Sequence, residues 1–148
     1  MNKIVAAILL ILIAGALYAG YVLFKPASTT RIMFGGVVLT VEIAVTPADQ
    51  QKGLSDRDSM APDRGMLFVF NSEEMWGFWM KGMRFSLDMI WFDSQKRSVF
   101  IEQGLPPCTP QNCPIYTPPV NAMFVLEVNA GFVKAHNVVI GDSFSYLN

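Results

Sequence analysis

Hydrophobic positions follow two regimes along this chain. From Ile4 to Phe24, 21 consecutive positions carry no charge. At about 1.5 Å of rise per residue a helix of that length reaches roughly 30 Å, the thickness of a bilayer's hydrocarbon core. Peptide groups find no water there, so the run is expected to be a single membrane-spanning helix. Lys3 flanks one end, and Lys25 and Pro26 stop the other. The alternative is a cleaved signal peptide, with its apolar region from Ile4 to Ile13 and the small-x-small pattern Ala14-Gly15-Ala16. Leu17 to Phe24 extend the apolar run past that point, which favours an uncleaved anchor over residues 1–25. Both readings place the rest of the chain outside the cytoplasm.

After a short linker (residues 26–29) the pattern shifts to short, β-rich runs, and residues 30–148 have the length of one domain. Thr30 to Phe34 and Val37 to Val45 flank Gly35-Gly36, which reads as a tight hairpin. Val37, Leu39, Val41, Ile43 and Val45 alternate with their neighbours and form a core face. Thr46-Pro47-Ala48-Asp49 is a helix-start signature, with that helix ending near Gly53. Arg64 to Phe70 reads as an interior strand. Trp76 to Lys81, Phe85 to Asp93, Ser98 to Gln103, Asn121 to Val128 and Ser143 to Leu147 read as further strands. Asn129 is expected to cap a short helix running to about His136. Gly104 to Pro119 holds six of the nine prolines and is expected to be an extended loop. The sum is a mainly β (α+β) domain: a compact, barrel-like antiparallel sheet with one or two short helices, preceded by one transmembrane helix.

Charge narrows the function classes. From Pro26 onward nine Lys and Arg (eleven less Lys3 and Lys25) face twelve Asp and Glu, a net of −3. No cationic cluster is present to release counterions from phosphate, so no nucleic-acid partner is expected. The expected partners are the membrane, through the N-terminal helix, and other subunits of a membrane complex. Gly15 and Gly20, with Ala14, Ala16 and Ala19, give that helix small surfaces suited to close packing on another helix.

Cys108 and Cys113 lie in a proline-rich loop and are expected to form a structural disulfide in an oxidising compartment. A redox centre of the thioredoxin kind has two intervening residues and opens a helix; here there are four, among prolines. A zinc site needs further ligands, and the chain has one histidine. Six methionines between Met60 and Met89 raise a copper reading, yet thioethers also fill gaps in cores. No cofactor is expected.

The densest chemical cluster is Met75 to Arg84. On a strand Trp76, Phe78 and Met80 point to the core, while Gly77, Trp79 and Lys81 point the other way. Trp79 beside Lys81 suits a carboxylate, sugar or peptide ligand, with Gly77 leaving space; the simpler reading is that both are structural. Asp88 shares a face with Ile90 and Phe92, and a buried carboxylate needs partners, for which Arg57, Arg84 and Lys81 are candidates. Glu127 is placed similarly beyond Met123 and Val125. An acid–base pair of Asp88 and Glu127 is a possible catalytic device; a structural ion-pair network is the preferred account. No Gly-x-Ser-x-Gly elbow or phosphate loop is present, and His136 is expected to be a solvated or capping residue.

Several segments together resemble the family known as domain of unknown function 192. They are Glu42 with Thr46-Pro47, Gly53-Leu54 with Arg57, and Arg64 to Phe70. Phe78-Trp79-Met80-Lys81, Leu87-Asp88, Pro107-Cys108 with Cys113-Pro114, Leu126 to Gly131, and Gly141-Asp142 complete the set. The resemblance implies a compact, often exported β-rich domain and no established reaction. Two departures stand out: Gly82-Met83 replaces the usual Asn-Thr, and Ser55 stands where Met is common. The function expected is a membrane-tethered, extracytoplasmic, non-catalytic module or accessory subunit. The alternatives are a small-ligand binder using Trp79 and Lys81, with Arg57, Asp88, Glu127 and Asn129 as further candidates, or an enzyme using the two acids.

Overall fold

The computed structural model describes residues 8–15 and 28–147. Residues 8–15 are helical, with exposed apolar side chains from Ile8 to Ile13. The expected span Ile4–Phe24 lies largely outside the described residues. Among the described residues, no helix is long and apolar enough to cross a membrane.

The domain begins with the expected hairpin. Strands β1 (Thr29–Phe34) and β2 (Val37–Ala44) meet at Gly35 and Gly36, with φ of 60° and 76°. A turn with two positive φ values matches the twist of the flanking strands, and glycine adopts it without a Cβ penalty. Helix α1 (Pro47–Lys52) follows, with the Thr46 hydroxyl accepting from the Asp49 amide and Gly53 closing the last turn. The chain then returns as β3 (Arg64–Glu74), which pairs parallel to β2.

The rest of the main sheet is antiparallel. Strand β5 (Leu87–Phe92) turns into β6 (Ser98–Leu105), and β8 (Ala122–Asn129) lies between β5 and β3. Strand β9 (Ser145–Leu147) adds to the outside of β1. The order is β6-β5-β8-β3-β2-β1-β9. Every residue of β5 is buried, as its apolar run on both faces requires.

This sheet is open, which corrects the barrel expectation. A barrel closes only when its two edge strands pair along their length. Here β9 has three residues and lies on β1, so β6 and β9 remain edges. Just outside these strands the chain segments touch through an isolated bridge between Arg97 and Ser143, with Ser98 donating to Asp142 O at 2.7 Å and Phe144 to Lys96 O at 3.2 Å. Two departures are local. The expected strand Trp76–Lys81 is two residues, β4 (Phe78–Trp79). The proline-rich loop contains its partner, β7 (Ile115–Tyr116).

Alternation of side chains divides the core into two layers. On one face Leu39, Val41, Leu67, Ile90, Leu126 and Val128 pack beneath Phe132 and Val133 of α2 (Phe132–Ala135). On the other, Met66, Phe68, Met80, Leu87, Met89, Trp91 and Val125 pack together. Met66, Met80, Met83 and Met89 are all buried there, which accounts for much of the methionine content as core filling. Cys108 and Cys113 are joined in a disulfide, with Cα atoms 4.9 Å apart, beside the point where Cys108 meets Lys81.

Candidate functional site

A cleft of about 210 Å³ opens on the second face. One wall is the end of α1 and the turn after it, from Gln50 to Ser55. Gln50 fixes that wall by donating to the carbonyls of Ala44 (3.3 Å) and Val69 (3.0 Å). The opposite wall is the stretch from Trp76 to Trp79 with Ile115; the floor is Phe68, Phe70 and Glu127.

The aromatic lining is held rigidly. Trp76 stacks on Phe70 with ring centroids 4.0 Å apart, and its indole N–H donates to Ser72 O at 3.2 Å. Phe78 meets Phe68 edge-on at 4.8 Å. Trp79 is 46% exposed, and the Lys81 ammonium lies 5.8 Å from its ring centroid. Gly77 serves packing more than access: a Cβ there would come within 2.7 Å of Ile115 Cγ2.

Glu127 is the unusual group. It is 4% exposed, and its Oε2 is enclosed without a hydrogen-bond partner among the described residues. Register explains this setting. Met66 on β3 and Met89 on β5 stand directly opposite Glu127 from either side, and neither offers a hydrogen-bond donor. Burial pushes its pKa up to about 8, with the charge of Arg57 pulling the other way. At neutral pH this residue is mainly an uncharged acid.

Arg57 is committed elsewhere. It forms a two-pronged pair with Glu42, the second arm at 2.7 Å, which lowers the Glu42 pKa and raises its own. That pair lines a larger, more polar hollow of about 470 Å³, which shares Lys52 and Gly53 with the cleft.

Asp88 corrects the sequence expectation. It is fully buried, but its partners are the backbone amides of Gly104 (2.8 Å) and Val133 (2.9 Å). It stands opposite Val128, while Glu127 stands opposite Met89, so the two acids project to opposite faces of the sheet. No shared acid–base device is built from them. Arg84, a proposed partner, pairs with Asp58 instead. Asn129 does not cap α2; its amide donates to the carbonyls of Met60 and Ala61 at 3.0 and 3.1 Å. His136 is the residue that ends α2 and packs on Phe132.

Of the six candidate residues, the cleft therefore brings together Trp79 and Glu127, with Lys81 over the Trp79 ring and Arg57 within electrostatic reach. Sequence reading missed Gln50, Phe68, Phe70 and Met83 as lining. Gln50 and Met83 lie near Gly53-Leu54 and Phe78-Trp79 in sequence, whereas Phe68 and Phe70 read only as part of an interior strand. The two departures from the family pattern meet beside this cleft. The Ser55 hydroxyl donates to Lys81 O at 2.9 Å, and a Cβ on Gly82 would lie 3.2 Å from Ser55 Cβ. Among the described residues no group of three or more His, Cys, Asp or Glu is placed to hold a metal ion.

The fold and cleft define a class: an open, curled β-domain with an aromatic cleft above one buried acid. The chain belongs to the DUF192 family, described as an uncharacterized ACR, whose model matches residues 30–146. A solved structure from Sinorhizobium meliloti 1021, presented as a candidate transcription regulator, is similar at 33% identity and a TM-score of 0.76. The match covers 82% of this chain and 96% of that one. A protein of unknown function from Novosphingobium aromaticivorans DSM 12444 is similar at 25% identity and a TM-score of 0.70, over 80% of this chain and 84% of that one. No curated protein matches.

Proposed function

We propose that this chain is a membrane-tethered, extracytoplasmic, non-catalytic binding module, whose cleft takes one small ligand on behalf of a larger membrane assembly. The tether and location rest on the uncharged run Ile4–Phe24. The observation that carries the binding reading is Glu127: a buried carboxyl with an unpartnered oxygen, on the floor of an aromatic-walled cavity. Burying a polar group without a hydrogen bond costs about 1–3 kcal/mol. A residue that served stability alone would be replaced to advantage by an apolar side chain beside Met66 and Met89. Pockets with aromatic walls and few convergent polar groups are the usual setting for small ligands.

A thermal-shift screen of fragments of about a dozen heavy atoms tests this reading on the detergent-extracted full chain. Ligands that bind only the folded state raise its melting temperature by mass action. Hits that stabilise the wild type and lose their effect in Trp79→Ala support the cleft. Hits indifferent to Trp79→Ala, or a screen with none, would remove it. Pull-down from mildly solubilised native membranes tests the assembly: a protein eluting alone at monomer size contradicts that part.

A further inference from the structure

We infer that the cleft selects a small organic monocation, an ammonium or methylated ammonium head, held against the aromatic rings with Glu127 as its counter-ion. The inference rests on the binding reading above and names its ligand class. Two features converge on it. The walls and floor present Phe68, Phe70, Trp76, Phe78 and Trp79, and aromatic rings attract a desolvated cation through their negative faces. Beneath them lies Glu127, the one acid of the lining among the described residues, which offer no partner to its enclosed oxygen. A neutral ligand would gain one hydrogen bond from that acid. A cation gains the carboxylate and the rings together.

The charges around Glu127 permit this. Across the sheet it faces Met66 and Met89, with Glu102 beyond Met89 on β6 and Glu42 beyond Met66 on β2. Arg57 is paired with Glu42, and the charge it still exerts on Glu127 favours the ionised carboxylate that a cation needs. Lys52, at the rim on α1, is exposed, so water screens its repulsion. Lys81, whose ammonium lies 5.8 Å from the Trp79 ring centroid, is exposed as well, so water screens its repulsion of a bound cation.

Proton balance gives the inference a sign. The acid is mainly protonated when the cleft is empty. A quaternary ammonium carries no acidic proton, so its binding ionises Glu127 and releases that proton to solvent. Affinity should rise with pH and level off above about 8. A neutral acceptor would behave oppositely, since it needs the protonated acid.

Calorimetric titration with choline and with its uncharged isostere 3,3-dimethylbutan-1-ol separates the cases. Choline should bind roughly twentyfold tighter at pH 8.5 than at pH 6.5, and the isostere at least tenfold more weakly than choline at pH 8.5. Glu127→Gln should lose choline while keeping the isostere, and Trp79→Ala, at an exposed position, should weaken both. Equal binding of the two probes, unaffected by Glu127→Gln, overturns the cation and leaves the cleft as a binding site. Failure of both probes in a protein that passes the fragment screen also overturns it. Phosphocholine tests the source: affinity equal to choline points to a lipid headgroup, and its loss to a free amine, both with the cation retained.

Discussion

Asp88 and Glu127 are neighbours across β5 and β8 that never face each other. Asp88 is opposite Val128 and Glu127 is opposite Met89, so one residue of register places their carboxylates on opposite faces of the sheet. Their roles diverge accordingly. Asp88 bonds the amides of Gly104 and Val133, tying β6 and the first turn of α2 to the central strand. Asp88→Ala should cost at least about 2 kcal/mol, since it leaves two buried N–H groups without acceptors. Urea denaturation checks this. The same variant should keep every cleft ligand of the wild type, because its side chain lies across the sheet from the cleft.

Glu127 gives stability a pH dependence of unusual sign. Its folded pKa of about 8 lies above the ordinary value of 4.5, so the folded state holds a proton that the unfolded chain releases in between. Stability is therefore highest below about pH 4.5 for this group and falls as pH rises towards 8, with a slope up to about 1.4 kcal/mol per pH unit. Denaturation at pH 5, 6.5 and 8 should show that decline in the wild type. Glu127→Gln, which stays uncharged, should flatten it.

Arg57 acts on both acids near it, and its removal should be visible at each. Its guanidinium lowers the Glu42 pKa by hydrogen bonding, and its charge holds Glu127 below the value that burial alone would set. In Arg57→Gln both carboxyl groups should titrate at higher pH than in the wild type. Carboxyl carbon NMR follows the two midpoints. An unmoved Glu127 would place Arg57 outside its electrostatic reach.

The Cys108–Cys113 link closes a short loop, with a sequence separation of five. Chain entropy assigns a loop of this size about 2 kcal/mol. Reduction should lower the unfolding free energy measured in urea by that amount and leave the cleft's walls at Trp76 and Phe70 in place.

Local signals in the chain were sufficient for local structure. Gly35-Gly36 specified its turn, and Thr46-Pro47 with Gly53 specified both ends of α1, because each depends on a few adjacent residues. Long-range pairing was not legible in this way. Nothing near Ser143–Leu147 says that β9 joins β1 and leaves the sheet open. Trp79 and Glu127 were identifiable as chemistry-bearing residues, but their meeting in one cleft depends on β4 folding over β8. Asp88 was misjudged for the same reason: its partners are amides 16 and 45 residues away. The methionines beside Glu127 are 61 and 38 positions from it, and only strand register makes them neighbours.

The protonation state of one carboxyl group underlies both the binding cleft and its ligand class. A pH titration of the Glu127 side-chain carboxyl carbon by NMR, in the full-length protein without added ligand, reads it directly. The expected midpoint is about 8. A midpoint near 4.5 would mean that the group is solvated or paired, and would contradict the unpartnered acid on which the cleft's function rests.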